Sequence, residues 1–163
     1  IAAHDLTLWV VDDESQDYDD PRLRPIVERL DTPLDEALPI FSETLALAAQ
    51  AHIDNEVVTV QLDWTKLGQT ENFPFIAFVH LLCDGAIVAQ SDAAPAFNAL
   101  PFAEIQTGEV WRDWRYLYWR GEPCPQPQVR VGLYDQATGI RLPVPLADDP
   151  DAEWLLLPVT DIR

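Results

Sequence analysis

A chain of 163 residues, 48% of them hydrophobic and with six Trp and six Phe, is long and apolar enough to bury a core as one domain, which argues against disorder. Its formal net charge of −18 and pI near 4.1 would repel phosphate backbones and anionic membrane surfaces, so no nucleic-acid partner is expected. No apolar run has the length of a membrane span and no signal peptide is visible; beginning at Ile1 rather than Met, the chain reads as a piece of a longer protein.

In chain order, Leu6–Val11 reads as a strand and Asp12–Asp20 as an acidic loop. Pro25 suits a helical first turn, which predicts a short helix over Pro25–Leu30, with a further helical turn at Leu34–Leu38. Residues 1–39 are thus a lead-in strand and short helix, and residues 40–163 a strand-rich remainder of the same domain. Leu45–Ala51 is a weak, Ala-rich strand. Val58, Val60, Leu62 and Trp64 alternate with Thr59, Gln61 and Asp63, the period of a half-buried strand. Phe75–Cys83 is apolar on both faces, so either the N-terminal segment or a second subunit is expected to cover one of them. Asp84-Gly85 joins it to Ala86–Gln90 as a hairpin. Ser91–Thr107, broken at Pro95 and Pro101, reads as a long surface connection before the aromatic strand Val110–Trp119. A proline-rich loop, Gly121–Gln128, leads to Val129–Val144. There Val129, Val131 and Leu133 form one strand, Asp135–Gly139 a turn, and Ile140, Leu142 and Val144 a returning strand. Trp154–Val159 is the last strand. The sum is a mainly β chain: an antiparallel β-sandwich, immunoglobulin-like or jelly-roll-like, with a short N-terminal helical lead-in. Val58, Val60, Leu62, Trp64, Val129, Val131 and Leu133 are its expected interior.

Four segments in order, FVHLL (Phe78–Leu82), AQSD (Ala89–Asp92), GEVWRD (Gly108–Asp113) and VGLYDQATGIRLPV (Val131–Val144), carry a resemblance. They resemble the extracytoplasmic C-terminal β-sandwich domain of bacterial membrane glycosyltransferases similar to dolichyl-phosphate-mannose protein mannosyltransferases. The likeness spans roughly Leu45–Val144. It departs at Ile105, where a Trp is usual, and at Cys124-Pro125-Gln126-Pro127, which replaces a Pro-Gly-x-Tyr approach. The resemblance implies a non-catalytic accessory domain at the cell surface or in the periplasm. Such a domain is tethered to the remainder of a larger membrane protein, or to another subunit, which holds the transferase chemistry.

Residue by residue, chemistry is sparse. His80, among apolar neighbours, is expected to be a hydrogen-bonded interior histidine. Asp92, Asp113 and Asp135 are expected to be structural acceptors. The sharper reading of Asp92 with Asp113, a glycosidase pair, needs about 5–10 Å between carboxylates. His4 and His52 have no partner at zinc spacing, no phosphate loop or nucleophile signature is present, and no metal or other cofactor is expected. The acidic runs Asp12–Asp20 and Asp148–Asp151 lack EF-hand spacing and read as solvated loops. Cys83 and Cys124 allow one disulfide in an oxidising compartment. Trp111, Trp114, Tyr116, Tyr118 and Trp119 crowd one strand. One face of it belongs to the core, and the other is open to stack on sugar rings or to meet a partner. Three functions therefore compete: an accessory module without catalysis, a carbohydrate-binding module, with or without calcium, and a hydrolase, which requires a cleft with two converging carboxylates.

Overall fold

The computed structural model describes residues 7–10, 24–31, 38–68, 74–119, 121–122 and 124–161. The strands are Thr7–Val10 (β1), Arg24–Leu30 (β2), Ile40–Phe41 (β3), Leu45–Asp54 (β4), Val57–Lys66 (β5), Phe75–Cys83 (β6), Ala86–Ala93 (β7), Val110–Tyr118 (β8), Gln128–Asp135 (β9) and Leu155–Asp161 (β10). A single 3-10 turn, Phe102–Glu104, is the only helical element among the described residues. The protein is mainly β, as its alternating sequence predicts.

The strands form one curled, mixed sheet in the order β1-β2-β8-β5-β4-β10-β9-β6-β7, with β3 beside β4. Strand β10 joins its two halves. Leu155–Pro158 pair antiparallel with β9, and Val159–Asp161 then pair parallel with β4. Pro158 stands at the changeover, where it lacks the N–H that a continued ladder would use. Period-two patterning sends the side chains of both halves into one cluster. Val58, Val60, Leu62 and Trp64 of β5, and Val129, Val131 and Leu133 of β9, are all fully buried in it with Ala77, Val79 and Leu81 of β6. Each of these Val and Leu side chains contributes roughly 1.5–3 kcal/mol by leaving water.

The β6–β7 hairpin closes on Asp84 (φ 50°) and Gly85 (φ 80°), the left-handed pair that matches the twist of adjoining strands. Cys83 at its tip is bridged to Cys124, with 5.8 Å between Cα atoms, so the proline-rich loop is tied to the hairpin.

Several expectations are corrected. Pro25–Leu30 is not helical but lies in β2, paired antiparallel with β1 and β8. Pro25 is accommodated because it is the second residue of the strand, beside the register shift between Leu8 and Trp9, where the ladder is irregular. Ile140–Val144 is not a full returning strand. One bridge, Tyr134 to Arg141, and the bonds Asp135 N–H to Ile140 O and Leu142 N–H to Leu133 O complete the turn. Pro143 and Pro145 then withhold two N–H donors, and β10 occupies the edge of β9 instead. Leu142 and Val144 still enter the core, whereas Ile140 is exposed. Ser91–Thr107 is not a surface connection throughout: β7 runs on to Ala93, and Ala94, Ala96, Phe102 and Ile105 are buried. The second face of β6 is covered by its own sheet neighbours and by the segment that follows β9, since Phe78 packs with Tyr134 and Arg141. The lead-in extends the sheet beyond β8 rather than lying over β6. His4, Asp12–Asp20 and most of Leu34–Leu38 lie outside the described residues.

Candidate functional site

Strand β8 sorts its aromatics by parity. Trp111, Asp113, Arg115 and Leu117 point inward and are buried; Arg112, Trp114, Tyr116 and Tyr118 point outward. The antiparallel register lays the outward residues in rows across β4, β5 and β8. Gln50, Gln61 and Trp114 form one row, and His52, Thr59 and Tyr116 the next. Ala48, Asp63 and Arg112 flank the first, and Asp54, Val57 and Tyr118 the second. Trp114 and Tyr116 are half-buried, and Tyr118 is 55% exposed.

The polar groups of this face are held in place by one another. Arg112 donates from Nε to Asp63 Oδ1 at 2.8 Å and from Nη2 to Asp63 Oδ2 at 2.9 Å, a two-pronged pair. That hydrogen bonding raises the pKa of the guanidinium further. Its carbon lies 5.8 Å from the Trp114 ring centroid, so the cation also fixes the indole. The Gln61 amide bridges Gln50, 3.1 Å away, and the Arg112–Asp63 pair, whichever way the amide is turned. An aromatic row beside oriented amide and carboxylate groups is the result.

Of the remaining aromatics, Trp111 belongs to the core and donates from Nε1 to Glu109 at 3.0 Å. Trp119 is half-buried against the core. With Tyr118, Val88 and Glu122 it lines a surface hollow of about 500 Å³ at the end of β8. A second hollow of about 580 Å³ is lined by Leu38, Ile40, Ser42, Glu43, Pro143 and Pro145, with Glu43 its one ionisable group among the described residues.

Asp113 and Arg115 are completely buried and joined at 2.8 Å. Asp113 also accepts the Ala96 N–H at 3.1 Å. Arg115 donates to the carbonyls of Ala93 (2.8 Å) and Ala94 (3.1 Å) and to Ser91. Burial pushes the Asp113 carboxyl up, while Arg115 and the Ala96 N–H hold it down. The pair clamps a left-handed turn in which Ala96, Phe97 and Asn98 all have positive φ. Asp92 lies on β7 opposite Phe78, is partly exposed and bonds His80, so these two carboxylates do not share a cleft.

His80 sits between two fixed neighbours. Arg130 Nη2 lies 3.1 Å from Nδ1, and Asp92 Oδ1 lies 3.1 Å from Nε2. A guanidinium can only donate, so Nδ1 accepts and the proton resides on Nε2, which donates to Asp92. His80 thus has both ring nitrogens engaged, by Asp92 of β7 and Arg130 of β9. Its pKa is lowered from 6.5, chiefly by burial; Arg130 and Arg141 act the same way and Asp92 opposes them. In the unfolded chain the ring therefore takes up its proton at higher pH than in the folded one. Stability from this group is complete above about pH 6.5 and declines as pH falls from there through the lowered folded value. Denaturation midpoints between pH 7.5 and 5 are expected to fall, and His80→Gln should flatten that slope.

Asp135 Oδ1 accepts the N–H groups of Ala137 (2.8 Å) and Thr138 (3.0 Å), an ordinary turn role. Asp148–Asp151 is exposed, with Asp149 accepting the Asp151 N–H. The polar members of the β4–β5–β8 face, Gln50, Gln61, Asp63 and Arg112, were not singled out by sequence. The alternation within Val58–Trp64 already puts Thr59, Gln61 and Asp63 on one face, but the partners across the ladder come from the register. Compared with protein-family models, curated proteins and solved structures, the chain matches none.

Proposed function

We propose that this chain is a non-catalytic accessory module that holds saccharide chains on the outer face of β4, β5 and β8. In this reading the two halves of the curled sheet act as the two layers of a β-sandwich. The module works outside the cytoplasm as part of a larger membrane-associated glycosyltransferase-like protein. The resemblance of Leu45–Val144 to such domains supports the setting, and so does the Cys83–Cys124 bridge, which suits an oxidising compartment.

The observation that carries the binding role is the aromatic row Trp114, Tyr116 and Tyr118 beside Gln50, Gln61 and the Arg112–Asp63 pair. Sugar rings have apolar C–H faces and hydroxyl rims. Indole and phenol rings match the faces, and oriented amide and carboxylate groups match the rims.

An array that includes cellotetraose, mannotetraose and chitotetraose tests this. The native protein should bind at least one glycan, and Trp114→Ala should weaken that binding roughly 10- to 100-fold, the loss expected for a central aromatic anchor. Repeating the array with a chelator separates a calcium-dependent mode from a direct one. Absence of binding would count against the saccharide role. Turnover of aryl glycosides, lost in a folded His80→Gln or Asp92→Asn variant, would overturn the non-catalytic one.

A further inference from the structure

The opposite half of the sheet carries a cluster unrelated to the saccharide face. Gly132 of β9 faces Phe78 of β6 across the ladder, and a Cβ at position 132 would strike the Phe78 ring. The missing side chain lets that ring lie over the β9 backbone. Trp154, just before β10, is the centre of the cluster. The guanidinium carbon of Arg130 lies 5.3 Å from its ring and that of Arg141 5.1 Å, while Arg141 also lies 5.5 Å from the Phe78 ring.

We propose that Arg130 and Arg141, gathered at Trp154, form a binding site for an oxyanion, a phosphate or carboxylate group on a small ligand. The chain has ten basic residues against 28 acidic ones, yet Arg130 has no carboxylate partner among the described residues. Its contacts are a neutral histidine nitrogen and an indole face. Its Nε–H is buried without an acceptor, while the side chain as a whole is half-buried, so this cation is only partly compensated. Arg141 has Glu153, but at 3.6 Å and with both side chains about half exposed, a loose pair that an incoming anion can displace. Both guanidiniums lie within 5.3 Å of one ring centroid, and an oxyanion arriving at that ring would give either of them a charge-assisted acceptor. His80, bonded to Arg130 and braced by Asp92, keeps that arginine on the cluster. Asp92 and Glu153 are the acids an anion would meet.

The test uses the whole chain, labelled with 15N, and separate titrations of inorganic phosphate and of acetate at ionic strength held constant with chloride. Saturable shifts of the Arg130 and Arg141 Nε–H signals and the Trp154 indole N–H are expected. A response to phosphate alone identifies a phosphate-bearing ligand, and a response to acetate alone a carboxylate-bearing one. Arg141→Gln, at a side chain 41% exposed and with folding checked by the unchanged amide spectrum of the free variant, should weaken binding roughly 10- to 100-fold, the worth of one charge-assisted contact. Trp114→Ala should leave it unchanged, which keeps this site distinct from the saccharide face. No saturable shift with either anion, the same shift with chloride, or full binding in Arg141→Gln would overturn the proposal.

Discussion

Arg115→Met is expected to lower stability by about 3–5 kcal/mol, the loss usual when one partner of a buried ion pair is removed. The side chain is wholly buried, and its replacement strands more than Asp113. The carbonyls of Ala93 and Ala94 lose their charged donor as well. Three consecutive left-handed residues, Ala96, Phe97 and Asn98, lose the clamp that holds their strained turn. The double variant Asp113→Leu with Arg115→Met removes the uncompensated charge, so it should recover part of the loss. It should not recover all of it, because the Ala96 N–H loses its acceptor, at about 1–3 kcal/mol for a group left unsatisfied, and the Ala93 and Ala94 carbonyls lose their charged donor, Ala94 keeping the Asn98 N–H. Urea denaturation of the native, single and double variants measures both effects. Complete recovery in the double variant would mean that the loop does not depend on the clamp.

Trp64→Ala should cost a similar 3–5 kcal/mol, for a different reason. Trp64 is fully buried, edge-on to Phe102 at 5.0 Å and tilted against Phe41 at 6.1 Å. Truncation therefore opens a cavity between β5, the 3-10 turn and β3. Trp64→Phe should cost much less than its loss of volume suggests. The Nε1–H of Trp64 is buried without an acceptor, and phenylalanine removes that unsatisfied donor with the indole. Similar losses for the two variants would show that the indole N–H carries no penalty.

These two positions show what the sequence could and could not reveal. Trp64 was legible, because Val58, Val60, Leu62 and Trp64 repeat every second residue and the inward face of a strand needs nothing else. Arg115 was not. An arginine in the strand Val110–Trp119 reads as an outward polar residue, although its parity with Trp111 and Leu117 points inward. Its partners, Ser91, Ala93 and Ala94, come from a connection that looked like surface. The helix expected over Pro25–Leu30 failed for a related reason. Local pattern could not show that Val27–Leu30 would pair with Val110–Asp113, far along the chain. Ile140–Val144 alternates like a strand, but Pro143 within it and Pro145 just after it give up the ladder and β10 takes the edge of β9. The face proposed to bind saccharide was half legible: the aromatic strand is conspicuous, while the register alone sets Gln50 and Gln61 beside Trp114.

The most direct test of the central claim is a map of amide and side-chain N–H shifts in the 15N-labelled protein as cellotetraose, mannotetraose or chitotetraose is added. Perturbations confined to Gln50, His52, Thr59, Gln61, Arg112, Trp114, Tyr116 and Tyr118 are the predicted result, with the buried Trp64 and Trp111 indoles unmoved. Perturbations centred on β6, β9 and Trp154, or none with any of the three sugars, would contradict the assignment of saccharide binding to the outer face of β4, β5 and β8.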